Sequence, residues 1–168
     1  MEKELLIVSE KLGFQINQEV KNMPKFEREI EIDAPLEKVW KVMTDPLSWP
    51  NWFPGIDSVS TVTSVNAGST FEWEDDGKTG HGTIVALEPL KSFEVLTQMG
   101  EDKDSHKFKL KATGGFLGLA NDECKVEYVL DTLVGGGILG NFITGGNPKD
   151  AIRVKKAMHN LRKFVESQ

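Results

Sequence analysis

Residues 30–59 read IEIDAPLEKVWKVMTDPLSWPNWFPGIDSV, and three changes of pattern in them decide the fold. Up to Ile32 the chain alternates: Phe26, Arg28, Ile30 and Ile32 share one face, and Glu27, Glu29 and Glu31 share the other. A period of two with β-branched residues marks a half-exposed strand. At Asp33 the period changes. Asp33 is placed to cap a helix with Pro35 in its first turn, where a missing N–H costs little. Leu36, Val39, Trp40 and Met43 then fall on one helical face. From Pro46 to Gly55 three prolines and two tryptophans crowd ten residues, so only a short helix or a tight turn fits.

Further along, Ile56 to Leu133 reads as successive antiparallel strands. Asn66-Ala67-Gly68, Asp76-Gly77 and Gly100-Glu101-Asp102 supply the turn chemistry between them. In SHKFKLKA (105–112), His106, Phe108 and Leu110 alternate with Lys107, Lys109 and Lys111, which requires one buried and one wet face. The chain closes on a helix over about 148–167. Its apolar stripe is Ala151, Val154, Met158, Leu161 and Val165, and it spans about 28 Å at 1.5 Å per residue. Upstream, 1–24 forms an N-terminal extension in which Leu5, Leu6, Val8 and Leu12 allow one brief amphipathic helix. The order is strand, helix, short helix, about six strands, long helix. An antiparallel sheet with its helices on one face is an α+β architecture, one domain over 25–168.

Composition narrows the function. The 168 residues carry 39% hydrophobic and 27% charged side chains, ordinary for a globular protein. The net charge of −6 argues against generic nucleic-acid binding. A single cysteine, Cys124, excludes an internal disulfide and a cysteine-based zinc site. The apolar run Leu5–Val8 is too short for a signal peptide or a membrane span, so a cytoplasmic location is expected. From Lys149 onward six basic residues face two acidic ones, a net +4 that leaves the rest of the chain at −10. A basic helix is ordinarily a solvated face. Were it to meet membranes transiently, the protein should partition onto anionic vesicles more than onto neutral ones; equal partitioning would exclude that role.

The stretch TLVGGGILGNFITGGN (132–147) contains Gly135, Gly137 and Gly140 in the G-x-G-x-x-G spacing of dinucleotide-binding loops. Such a loop needs a helix at once after the glycines and a parallel strand after that. Here the helix waits until about Pro148 and no such strand follows. Two readings stay open: a lid, with Phe142 among its apolar contacts, or a plain connection covering the core.

The segment 30–59, with Ala34-Pro35 entering the helix, Val39-Trp40 within it and Asp45, Trp49, Trp52, Phe53 and Pro54 after it, resembles the START-like superfamily, also called SRPBCC. Within it the chain is most similar to the polyketide cyclase/dehydrase-like and coenzyme Q-binding-like groups. The closing helix after a glycine-rich loop matches too, and the resemblance covers about 25–166. It implies a helix-grip: a curved sheet of about seven strands around the long helix, enclosing an elongated cavity. Members bind lipids, sterols, quinones, polyketides or plant hormones there, and a minority catalyse cyclisation, dehydration or hydroxylation.

Candidate site residues follow from the faces. Trp73, Phe93, Phe108 and Met158 are the expected apolar lining. His106 is either a satisfied core residue or the polar group of the cavity. Tyr128 is either core or a hydroxyl offered to a ligand oxygen. Arg28 is either in water at a strand end or a charge awaiting an anionic group. Glu74, Asp75 and Asp76 belong to a turn, and paired acid/base carboxylates find no support. His81, His106 and His159 lack metal-ligand spacing, and Cys124 reads as a small buried hydrophobe. The expected function is a cofactor-free and metal-free binder of one hydrophobic or amphipathic molecule, as carrier or sensor. The alternatives are a cyclase/dehydratase-type enzyme using His106, or an interaction module with a closed cavity.

Overall fold

The computed structural model describes residues 25–113, 123–134 and 148–168. The N-terminal extension, Phe142 and the glycine-rich stretch 135–147 lie outside the described residues. Strand β1 (Lys25–Ile32) leads into helix α1 (Leu36–Thr44) and a 3₁₀ helix (Pro46–Asn51). Six strands follow: β2 (Ser58–Ser60), β3 (Thr70–Asp75), β4 (Lys78–Glu88), β5 (Ser92–Met99), β6 (Asp102–Thr113) and β7 (Glu123–Val134). Helix α2 (Pro148–Glu166) ends the chain.

All seven strands form one antiparallel sheet in the order β1-β7-β6-β5-β4-β3-β2, so the first strand pairs with the last. Two-residue connections join β3 to β4 and β5 to β6. Asp76 (φ 50°) and Gly77 (φ 72°) both take the left-handed conformation that matches the twist of a tight hairpin. A register shift at Ile84–Ala86 in β4 bends the sheet so that it can wrap. Helix α2 lies across β1 and β7 and touches α1, which makes the helix-grip. Neither described helix is long and apolar enough to cross a membrane.

The alternating strands behave as their period dictates. His106, Phe108 and Leu110 are buried, while Lys107, Lys109 and Lys111 are exposed. Cys124, Val126, Tyr128 and Leu130 are buried on the same side of the sheet. Two details differ from the sequence reading. Asp33 does not cap α1; the Pro35 carbonyl takes the first turn's N–H groups from Lys38 and Val39, and the Asp33 N–H donates to Glu166 in α2. In α2, Ala151 is exposed and Ala157 fills the buried stripe with Val154, Met158, Leu161 and Val165. The stripe therefore begins one turn late, past the edge of the sheet.

The tryptophan-rich segment fills the grip. Asp45 accepts from the Leu47 N–H and starts the 3₁₀ turn, which drives Trp49 inward. The Trp49 indole N–H donates to the Met43 carbonyl (2.9 Å), and Trp52 donates to the Ser48 hydroxyl (3.2 Å). Both polar handles are thereby satisfied and the rings are free to pack. Trp49 stacks on Phe53 at 5.1 Å and meets Phe71 and Phe93 edge-on at 5.5 and 6.4 Å. Behind them Phe108 stacks on Tyr128 at 4.5 Å. Across the β3–β4 pair, Phe71 lies over Gly82 and Trp73 over Gly80, so closely that a Cβ on either glycine would overlap the ring.

Candidate functional site

The space left over is a cavity of about 280 Å³ at one end of the sheet, not an elongated channel under its middle. The reason is the packing just described: Trp49, Trp52 and Phe53 occupy the centre of the grip with the protein's own rings.

Four parts of the chain build the cavity. The turn after the 3₁₀ helix brings Phe53, Pro54 and Ile56; strand β3 brings Trp73 and Asp75; β5 brings Thr97 and Met99. Strand β6 opposes them with Asp102, Asp104 and His106, and α2 closes one side with Arg153. The period of two explains why these strand residues converge: Asp102, Asp104 and His106 are alternate residues on one strand, and Thr97 and Met99 continue the face that starts at Phe93 and Val95. Val134, the last described residue of β7, pairs opposite Asp102.

Polar groups form two connected sets. In the first, Thr97 Oγ1 lies 2.8 Å from His106 Nε2, and His106 Nδ1 lies 2.8 Å from the Tyr128 hydroxyl. Both ring nitrogens thus have partners. Burial pushes His106 down to about 3, and the Arg153 charge works in the same direction, so the imidazole is neutral. Burial likewise drives the Tyr128 phenol well above its usual range. Tyr128 has no other hydrogen-bond partner among the described residues, so its O–H donates to His106 Nδ1. A neutral imidazole then carries its proton on Nε2 and donates to Thr97 Oγ1. Thr97 is left with its own proton to give, and Thr97 lines the cavity.

In the second set, Arg153 Nη2 donates to Asp104 Oδ2 at 2.6 Å and lies 3.6 Å from Asp150 Oδ1, while Thr132 donates to Asp150 at 3.5 Å. Burial alone would lower the Arg153 pKa, but the Asp104 and Asp150 carboxylates and the Tyr128 oxygen outweigh it and hold the guanidinium charged. Burial raises Asp150, with Arg153 opposing. Arg153, counted above with the basic face of the last helix, is therefore turned inward; Lys155, Lys156, Arg162 and Lys163 stay exposed. Two donors are left over: the indole N–H of Trp73 and the Nε–H of Arg153 are buried with no hydrogen-bond partner among the described residues. No cluster of three or more His, Cys, Asp or Glu side chains among the described residues is set to hold a metal ion.

Set against the expected site, the placements divide. Trp73 and His106 line the cavity, and Tyr128 stands directly behind His106. Phe93, Phe108 and Met158 do not line it; they are fully buried against the protein's own side chains. Arg28 is exposed on the edge strand β1, opposite Tyr128 in register. Cys124 is buried, and burial raises its thiol to about 11, which suits an inert core residue. Thr97, Met99, Asp104 and Arg153 were not singled out from sequence. Thr97 and Met99 were reachable by extending the alternation from Phe93. Arg153 was not, because one turn of helix rotation separates an inward guanidinium from the solvated lysines beside it.

A family model described as "polyketide cyclase / dehydrase and lipid transport" matches residues 23–166. No curated protein matches the sequence. Among solved structures, a protein from Mesorhizobium loti is similar at 14% identity with a TM-score of 0.63, over 86% of this chain and 98% of that one. CalU16 from Micromonospora echinospora is similar at 18% identity and 0.58, over 84% and 75%. A START superfamily protein from Mycobacterium smegmatis is similar at 15% identity and 0.58, over 85% and 94%. At such identities the likeness speaks for the fold alone. The family match extends from the first strand to the last turn of α2, and on it this chain belongs to the polyketide cyclase/dehydrase and lipid transport family of START-like proteins.

Proposed function

We propose that this domain binds one hydrophobic or amphipathic small molecule, of the lipid, quinone or polyketide-like kind, in the cavity beside His106, and carries or senses it. The observation that carries the reading is the cavity's mixed lining. Phe53, Pro54, Ile56, Trp73 and Met99 form an apolar wall, and the polar groups are few and held in place. Small-molecule sites are built this way, and a volume of about 280 Å³ lies near the lower end of the roughly 300–1,000 Å³ they span. Apolar burial, at about 25 cal/mol per Å², would supply most of the affinity before ordering costs.

The second reading, a cyclase/dehydratase-type enzyme, draws on the chain of hydroxyl, imidazole and hydroxyl that reaches the cavity at Thr97. Against it, an imidazole lowered to about 3 is a weak base and cannot store a proton near neutral pH. Carriage is the better supported of the two.

Native mass spectrometry of freshly purified protein, followed by denaturation and identification of what is released, tests the proposal. The expected result is one bound molecule per chain with an apolar body. A chain that releases nothing and takes up no naphthalene-type probe would overturn it in favour of an interaction module. A His106→Ala protein that still binds the released compound but no longer converts it would move the enzyme reading to first place.

A further inference from the structure

Resting on the proposal of a bound amphipathic molecule, the geometry points to the chemistry of its polar end: we infer that the cavity selects an uncharged carbonyl oxygen, held by the Thr97 hydroxyl and the Trp73 indole N–H. Donors outnumber acceptors at this site in a specific way. The Tyr128 O–H is spent on His106 Nδ1, and the His106 Nε2–H is spent on Thr97 Oγ1. The Thr97 proton is what that chain leaves to offer. Trp73 Nε1 and Arg153 Nε are buried donors without partners. For such groups the cost of leaving water is already incurred on folding. An acceptor brought by a ligand therefore gains more than an ordinary exchange of hydrogen bonds.

The charges decide which acceptor. Asp75, Asp102 and Asp104 line the cavity against a single cation, Arg153, and Asp104 is already paired with it. A carboxylate or phosphate head would meet a net negative lining. An ammonium head would find Asp75 and Asp102, but Asp102 is exposed and well solvated, and surface pairs of that kind contribute little. An ammonium would also leave the buried donors orphaned. A neutral ketone, ester or quinone oxygen satisfies a donor and avoids the repulsion.

The test is a series sharing one apolar body: acetylnaphthalene, naphthoate, naphthylmethylamine and ethylnaphthalene, each titrated calorimetrically into wild-type protein and into the Thr97→Val, Trp73→Phe double variant. In wild type the ketone is expected to bind about tenfold tighter than the hydrocarbon and both charged compounds more weakly than the ketone. In the double variant the ratio of ketone to hydrocarbon affinity should fall to about one, a ratio that cancels any change in cavity shape. Equal affinities in wild type, tightest binding by the amine or the carboxylate, or a ratio unchanged in the variant would each overturn the carbonyl assignment while leaving a hydrophobic binding site standing. Failure of all four compounds to bind would instead overturn the binding proposal beneath it.

Discussion

Replacing Trp49 by alanine is expected to cost about 3–5 kcal/mol of folding stability, the largest single loss we anticipate in this domain. Trp49 is fully buried, and its ring meets Trp52, Phe53, Phe71, Phe93 and His106. Truncation removes those contacts together and leaves a void at the centre of the grip that a rigid sheet and helix cannot close. It also removes the donor to the Met43 carbonyl. For a domain whose total stability is about 5–15 kcal/mol, the melting temperature should fall by about 10 °C or more. Trp49→Phe, which keeps an aromatic ring but not the N–H, should recover at least half of the loss. Urea denaturation followed by circular dichroism measures both. A Trp49→Ala protein within about 1 kcal/mol of wild type would mean that the segment 46–53 is a cover over the core and not part of it.

Acidification should destabilise the protein through His106, with a sign set by burial. Its folded pKa is lowered from 6.5 to about 3, so between those values the unfolded chain binds a proton that the folded chain refuses. Stability is therefore full above the unfolded pKa and declines as the pH falls through this window, by about 1.4 kcal/mol per pH unit. By about pH 5 the loss is roughly 2 kcal/mol, and toward pH 3 it is on the order of 4–5 kcal/mol, enough to threaten the fold. His106→Gln keeps polar atoms facing Thr97 and Tyr128 but binds no proton. Its stability, measured by denaturant titration at successive pH values, should fall less steeply than wild type across the window. Parallel curves for the two proteins would show that His106 is accessible to protons and that the buried chain to Tyr128 opens freely.

How much of this was legible in the sequence depends on the range of the physics behind each feature. Strand alternation is local. His106, Phe108 and Leu110 face inward because successive side chains on a strand point to opposite faces, whatever lies beyond them. The turn at Asp76-Gly77 is local as well, since both residues must take positive φ there. The architecture, one antiparallel sheet closed by a long helix, follows from the order of such elements, and so does the burial of Cys124 and Tyr128. Trp73 and His106 could be placed at the cavity because each lay on a face that had to turn inward.

What the sequence could not carry was the distribution of volume. Trp49, Trp52 and Phe53 were legible as packing residues, but not that they would fill the middle of the grip and confine the cavity to one end. For that reason Phe93, Phe108 and Met158, inward as expected, touch protein rather than the cavity. The pairing of Arg153 with Asp104 joins residues 49 positions apart. It turns a member of a basic helix into the cation of the site, and no periodicity encodes it. By itself the sequence determined which side of each element is apolar, because that depends on neighbours in the chain. Only the tertiary structure decided where close packing leaves a space and which buried donors face it unpartnered, because packing density and hydrogen-bond satisfaction are properties of groups brought together from distant parts of the chain.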